Sequence, residues 1–261
     1  MGKKITLCAM GFVSALALAA PASAAEFLFN FSGNSFSWTN GNSIIATSNV
    51  VDGEQVSARL TAFTAVEGRG GWTIHEAALN RYADGLGVSN WLLDEHSIDN
   101  KGSYDFVLFQ FDRDVVVSGA KLVPFTIGKS KDNDSTTGVG NSETPWNSDL
   151  NITSFAAFDS LWNNDGNGSR PYFVDFGNST AGNLFFVGAS QADFIDVTPG
   201  SKKKNPFDPD YDGFKISSLA VSTLPPAPIP EPATWGMMIA GFGMVGSMMR
   251  RRNAKVSVVY A

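Results

Sequence analysis

From Val56 to Thr64 apolar and polar side chains take turns, Val-Ser-Ala-Arg-Leu-Thr-Ala-Phe-Thr, with the period of two that a half-buried β-strand requires. Tyr104–Phe111 reads Tyr-Asp-Phe-Val-Leu-Phe-Gln-Phe and is apolar on both faces, as a central strand covered on both sides would be. Val115–Val123, Tyr172–Phe176, Leu184–Ala189 and Phe214–Leu224 are similar short runs rich in Val, Phe and Ile. Between them Gly, Asn, Asp and Ser cluster, at Lys129–Asn141 and Asn163–Ser169, and predict turns and loops. Only Ile74–Tyr82 reads equally well as helix or strand. About ten short strands in roughly 200 residues, without βα alternation, predict an all-β domain: an antiparallel β-sandwich, jelly-roll-like. No internal repeat is visible.

The two ends follow other rules. Met1-Gly2-Lys3-Lys4, an uncharged run from Ile5 to Ala20, and Pro21-Ala22-Ser23-Ala24-Ala25 are the three parts of a secretory signal peptide. Ala22 and Ala24 supply the small side chains that signal peptidase reads, so residues 1–24 are expected to be removed. Residues 25–224 then form the exported β-sandwich domain. Five of the twelve prolines fall between Pro225 and Pro232, which makes 225–232 a stiff, extended linker. An uncharged run follows from Ala233 to Met249, 17 residues long, and then Arg250-Arg251-Arg252. As a helix rising ~1.5 Å per residue it would reach roughly 25 Å, close to the ~30 Å hydrocarbon core. The reading is one transmembrane helix at 233–249, with the Arg-rich tail 250–261 in the cytoplasm.

Pro230-Glu231-Pro232, an apolar span opening at Trp235, and Arg250, Arg251 and Arg252 together resemble the PEP-CTERM sorting signal of exosortase-processed bacterial proteins. The resemblance implies a membrane-embedded exosortase that recognises and cuts near Pro-Glu-Pro. It also implies a transient anchor, and a product released or attached at the cell surface, often among exopolysaccharides. A second resemblance lies inside the domain. Leu86-Gly87-Val88, Asp99-Asn100-Lys101-Gly102, Gly188-Ala189 and Asp212-Gly213-Phe214-Lys215 are similar in kind and spacing to motifs of a class of exosortase-dependent surface proteins. That class implies no activity.

Composition narrows the chemistry. The chain carries 19 Lys plus Arg against 25 Asp plus Glu. Setting aside six positive charges (Lys3, Lys4, Arg250, Arg251, Arg252, Lys255) and Glu231 leaves 13 against 24 in the exported part, a formal charge of −11. Such an acidic surface repels nucleic acid, which is excluded as a partner. The single cysteine, Cys8, lies in the signal peptide, so the mature domain has no disulfide, Cys-ligated zinc or cysteine catalysis.

Candidate sites are few. Asp208-Pro209-Asp210-Tyr211-Asp212-Gly213 opens like a calcium loop, with alternate carboxylates at Asp208, Asp210 and Asp212 and a Gly for the turn. Leu219 stands where the closing Glu would be, so the loop needs ligands from elsewhere; the plainer reading is a solvated acidic turn. Asp132, Asp134 and Glu143 make a weaker acidic group, read as part of a flexible surface loop. Trp146 and Trp162, flanked by Asn, Ser and Asp, are the tryptophans best placed to stack on sugar rings. Enzyme motifs fall short: His75-Glu76-Ala77-Ala78-Leu79 lacks the second His of a zinc helix. Gly241-Phe242-Gly243-Met244-Val245-Gly246 fits a dinucleotide fingerprint only in letters, since no strand precedes it. The expectation is a non-enzymatic exported protein of the cell surface or extracellular matrix, with no catalytic residues and no cofactor unless calcium. The alternative is a polysaccharide-binding or polysaccharide-processing domain.

Overall fold

The computed structural model describes residues 24–33, 41–68, 71–90, 96–166, 168, 170–190, 211–223 and 232–251. Ala24–Leu224 is one compact unit. Its strands in chain order are β1 (Glu26–Asn30), β2 (Ser43–Thr47), β3 (Ser57–Gly68), β4 (Gly71–Glu76), β5 (Ala78–Tyr82), β6 (Gly85–Ser89) and β7 (Ile98–Asp99). They continue as β8 (Tyr104–Pro124), β9 (Ser135–Gly140), β10 (Ser160–Asn164), β11 (Tyr172–Asp175), β12 (Gly182–Ala189) and β13 (Gly213–Thr223).

The domain is all-β and antiparallel, but not as two separate jelly-roll sheets. All thirteen strands join one hydrogen-bonded sheet, whose main path runs β10-β9-β12-β8-β13-β6-β5. The reason is β8. Val115–Val123 and Tyr104–Phe111, separate runs in the sequence, are one strand of 21 residues. Its first half pairs with β3 and β12. Past the exposed Arg113 and Asp114, its second half pairs with β11 and β13. The strand therefore passes from one layer of the fold to the other.

The layers close on phenylalanines. β1 pairs only with β13, yet the rings of Phe29 and Phe111 lie 6.1 Å apart and those of Phe31 and Phe109 6.2 Å apart. These contacts run across the core, not along the sheet. Each fully buried Phe contributes about 1.5–3 kcal/mol over its exposed state. A second cluster lies on the opposite face of β8, where Phe63, Phe106, Leu108, Leu184 and Phe186 are buried under Ile152 and Phe158. The 3-10 turn Phe155–Ala157 belongs to this cover.

Two local expectations are corrected. Ile74–Tyr82 is strand throughout except Ala77, being the end of β4 and all of β5. Lys129–Asn141 is no surface loop: it contains β9, buried along its whole length between β10 and β12. Small residues read as loop chemistry here because large neighbours need their space. A Cβ on Gly138 would sit 2.7 Å from Leu161 and equally hard against Phe186.

The C-terminal helix, α1 (Pro232–Arg251), is described by itself. It begins at a proline, which the first turn tolerates because that N–H has no intrahelical partner. Gly236, Gly241, Gly243, Gly246 and Ser247 dilute its apolar residues, and Met237, Ile239, Phe242 and Met244 are exposed. Among the described residues no helix is long and apolar enough to cross a membrane. The helix covers the expected span 233–249 and runs past it at both ends, over 20 residues.

Candidate functional site

The short motifs of the domain meet at one place. β7 carries Asp99, paired with Gly213 at the start of β13. Asn100 reaches Asp212 twice: its Nδ2 donates to the Asp212 carboxylate at 2.9 Å, and its Oδ1 accepts the Asp212 N–H at 3.0 Å. The same Nδ2 donates to the Ser190 carbonyl at 3.2 Å, just past Gly188-Ala189. Leu86 pairs with Ile216. Gly85, at φ +131°, brings β6 so close that a Cβ would strike the Ile216 carbonyl. A side chain on Gly188 would likewise strike the Tyr104 hydroxyl.

Asp212 also meets the other acidic segment. It bridges to Asp132, whose carbonyl accepts the Gly213 N–H at 2.9 Å. The carboxylates of Asp132, Asp134 and Asp212 lie within 4.8 Å of one another. Asp212 is buried and the other two half-buried. Gly166 N–H holds Asp134 at 2.5 Å, and Asn133 N–H holds Asp132 at 2.8 Å. At an effective dielectric of about 20, each pair of charges this close repels by roughly 3 kcal/mol, which a hard cation would relieve. Of the residues expected to bind calcium, Asp212 is here, while Asp208 and Asp210 lie outside the described residues. Asp132 and Asp134 were legible only as acidic residues in a loop; Glu143 is not among the three.

Next to this junction is a buried polar network. Asp105, on β8, is 1% exposed. Its carboxylate accepts Asn90 Nδ2 at 3.1 and 3.2 Å and lies 3.5 Å from Ser103 Oγ. Loss of hydration raises its pKa well above the ordinary carboxylate value, and the charge on Asp99 adds to the rise; the bonds from Asn90 and Ser103 oppose it. Asp99 itself accepts Ser97 Oγ at 2.9 Å and Lys101 N–H at 3.0 Å. Lys215 is buried with its ammonium 3.9 Å from the Phe125 ring centre and 4.8 Å from that of Tyr82. Desolvation lowers its pKa and Asp84 opposes the shift. The ring faces offset part of that burial cost.

The two tryptophans part company. Trp162, on β10 opposite Thr137, packs against the main core. Trp146 is half-buried in the segment between β9 and β10, where it lines a cavity with Glu143 and Gln110. Sequence reasoning passed over Gln110, whose one signal was an amide in an otherwise apolar strand.

At the N-terminus Ala24 is exposed, and Ala25 packs on the core while its carbonyl accepts the Thr223 N–H at 3.2 Å; Ala22 lies outside the described residues. In the C-terminal group Pro232, Trp235 and Arg251 fall on α1, Arg250 is exposed, and Pro230, Glu231 and Arg252 lie outside the described residues.

A compact antiparallel β domain followed by a separate C-terminal helix ending in arginines is the layout of a protein carrying its sorting signal at the end. Residues 228–252 match the PEP-CTERM protein-sorting motif. The chain carries a PEP-CTERM sorting signal at these residues, and the motif supports exosortase-dependent sorting to the surface. No curated protein and no solved structure matches the chain.

Proposed function

We propose that the β domain is a non-enzymatic structural or interaction module, displayed at the cell envelope or in the extracellular matrix after signal peptidase and exosortase have each removed one end. The match at 228–252 carries this reading, because it sits directly behind the compact unit ending at Leu224 and leaves that unit whole when cut. Placement of the polar groups supports the absence of catalysis. Both oxygens of Asp112 are committed, one to Ser57 N–H at 3.1 Å and one to Arg113 Nε at 3.1 Å. Ser89 Oγ, 2.8 Å from His96 Nδ1, also accepts Asn80 Nδ2 at 3.0 Å and so serves as a brace. Mass spectrometry of the native C-terminus tests the sorting part. Surface material from exosortase-competent cells is expected to end near Pro230–Pro232, and material from cells lacking exosortase to keep Arg250–Arg252. An intact C-terminus on surface material from competent cells would refute the reading.

Calcium is the cation we propose for this domain, supported by the carboxylates of Asp132, Asp134 and Asp212, which suit an ion that takes six to eight oxygen ligands. Millimolar calcium is then expected to raise the melting temperature by several degrees, as a ligand binding only the native state does. Asp134→Asn should abolish the rise. A melting temperature indifferent to calcium would refute the proposal and leave the three carboxylates as a hydrated acidic cluster.

A further inference from the structure

The segment between β9 and β10 does more than cover the second aromatic cluster. Where Ser142–Trp146 pass the end of β8's first half, they enclose a cavity of about 250 Å³ with Gln110, Asp112 and Asn183. The wall is pinned from several sides. Asn183 exchanges two 2.8 Å bonds with the Ser142 backbone. Gln110 Nε2 donates to the Ser148 carbonyl at 3.3 Å. Arg59 pairs with the Asp149 carboxylate. A second cavity of similar volume shares Ser142 and continues along Leu150–Ser154.

Gln110 is 2% exposed, and its Oε1 has no hydrogen-bond partner. A buried acceptor without a donor is costly, so its place in the lining of a cavity points to a ligand that brings a donor. Trp146 contributes a half-buried indole with an apolar face and one N–H. Thr144 adds a hydroxyl. Glu143, exposed, adds a carboxylate with no ion-pair partner among the described residues.

We infer that this cavity binds one ring of a neutral glycan. The inference rests on the proposed role as a displayed, non-catalytic interaction module and names its ligand class. The volume lies below the roughly 300 Å³ at which drug-sized pockets begin, which suits a single sugar ring. Acceptors beside an aromatic face match the two sides of a pyranose, its hydroxyl edge and its C–H face. Neutrality follows from charge. The nearby guanidiniums are spent, Arg113 on Asp112 and Glu54, Arg59 on Asp149. An anionic sugar would therefore face the Glu143 carboxylate without a free cation to answer it.

The full chain, assayed on immobilised neutral oligosaccharides of glucose, galactose and mannose and on a uronic-acid polymer, tests this. At least one neutral glycan is expected to retain it. Trp146→Ala should weaken that binding about tenfold, ~1.4 kcal/mol. Glu143→Gln, a surface change that leaves the fold intact, should weaken it at least about threefold, ~0.7 kcal/mol. Retention by no neutral glycan, retention by the acidic polymer alone, or wild-type affinity in both variants would overturn the inference. A chain cut at its C-terminus yet retained by no glycan sinks the sugar site and spares the sorting reading. One that binds glycan but reaches the surface uncut does the reverse.

Discussion

Asn100→Ala is expected to cost the domain about 3–5 kcal/mol, lowering its melting temperature by roughly 10 °C or more. Asn100 is 1% exposed and joins Asp212 to Ser190: it serves the Asp212 carboxylate, the Asp212 N–H and the Ser190 carbonyl together. Truncation removes all three partners at once and leaves a buried carboxylate short of a donor. Losing one partner of a buried charge is among the costliest single changes a domain sustains. The start of β13 hangs on the same contact, since Gly213 pairs with Asp99 on one side and donates its N–H to the Asp132 carbonyl on the other. Urea unfolding of both proteins measures the difference. A loss under about 1 kcal/mol would mean that water replaces the amide and that the motif residues are neighbours rather than a joint.

Asp105→Asn is expected to flatten the pH dependence of stability. Burial and the neighbouring Asp99 raise the pKa of Asp105 in the folded state, so the native protein holds a proton that the unfolded chain releases near pH 4. The stability from that proton is complete below the unfolded value and is lost as pH rises through the folded one. Within that window the wild type should lose up to about 1.4 kcal/mol per pH unit. The asparagine variant, with the same shape and no proton to lose, should not. Denaturant melts of both proteins from pH 4 to 8 decide the matter, and equal slopes would show that Asp105 is ionised in the native state. Asn90 and Ser103 already supply donors to a carboxylate at this position. That is why the side chain persists in a strand whose other neighbours, Phe106 to Phe109, are all apolar.

Much of the domain was legible before any coordinates. The alternation of Val56–Thr64 and the doubly apolar Tyr104–Phe111 became β3 and the first half of β8, because a period of two is a local property that burial on one face or both imposes directly. β9 escaped for the opposite reason. Thr136, Thr137 and Gly138 carry no apolar signature, and only the Phe186 ring beside them explains why a strand there must be made of small residues. The acidic site was half legible. Asp212 stood out for its spacing with Asp208 and Asp210, whereas the partners the fold gives it, Asp132 and Asp134, lie some eighty positions earlier. Spacing along a loop cannot reveal ligands that arrive through a bridge between distant strands.

By itself, then, the order of residues determined the address of this protein and the class of its fold. The Pro-Glu-Pro motif, the arginine cluster and the strand periodicities all act through neighbours in the chain, so their meaning survives without a tertiary structure. Only the folded molecule decided that β8 turns two expected sheets into one, that Asn100 clasps Asp212, and that Gln110 meets Trp146 in a cavity. Those outcomes depend on which strands pair and in what register, and pairing energy is collected across the whole core rather than residue by residue.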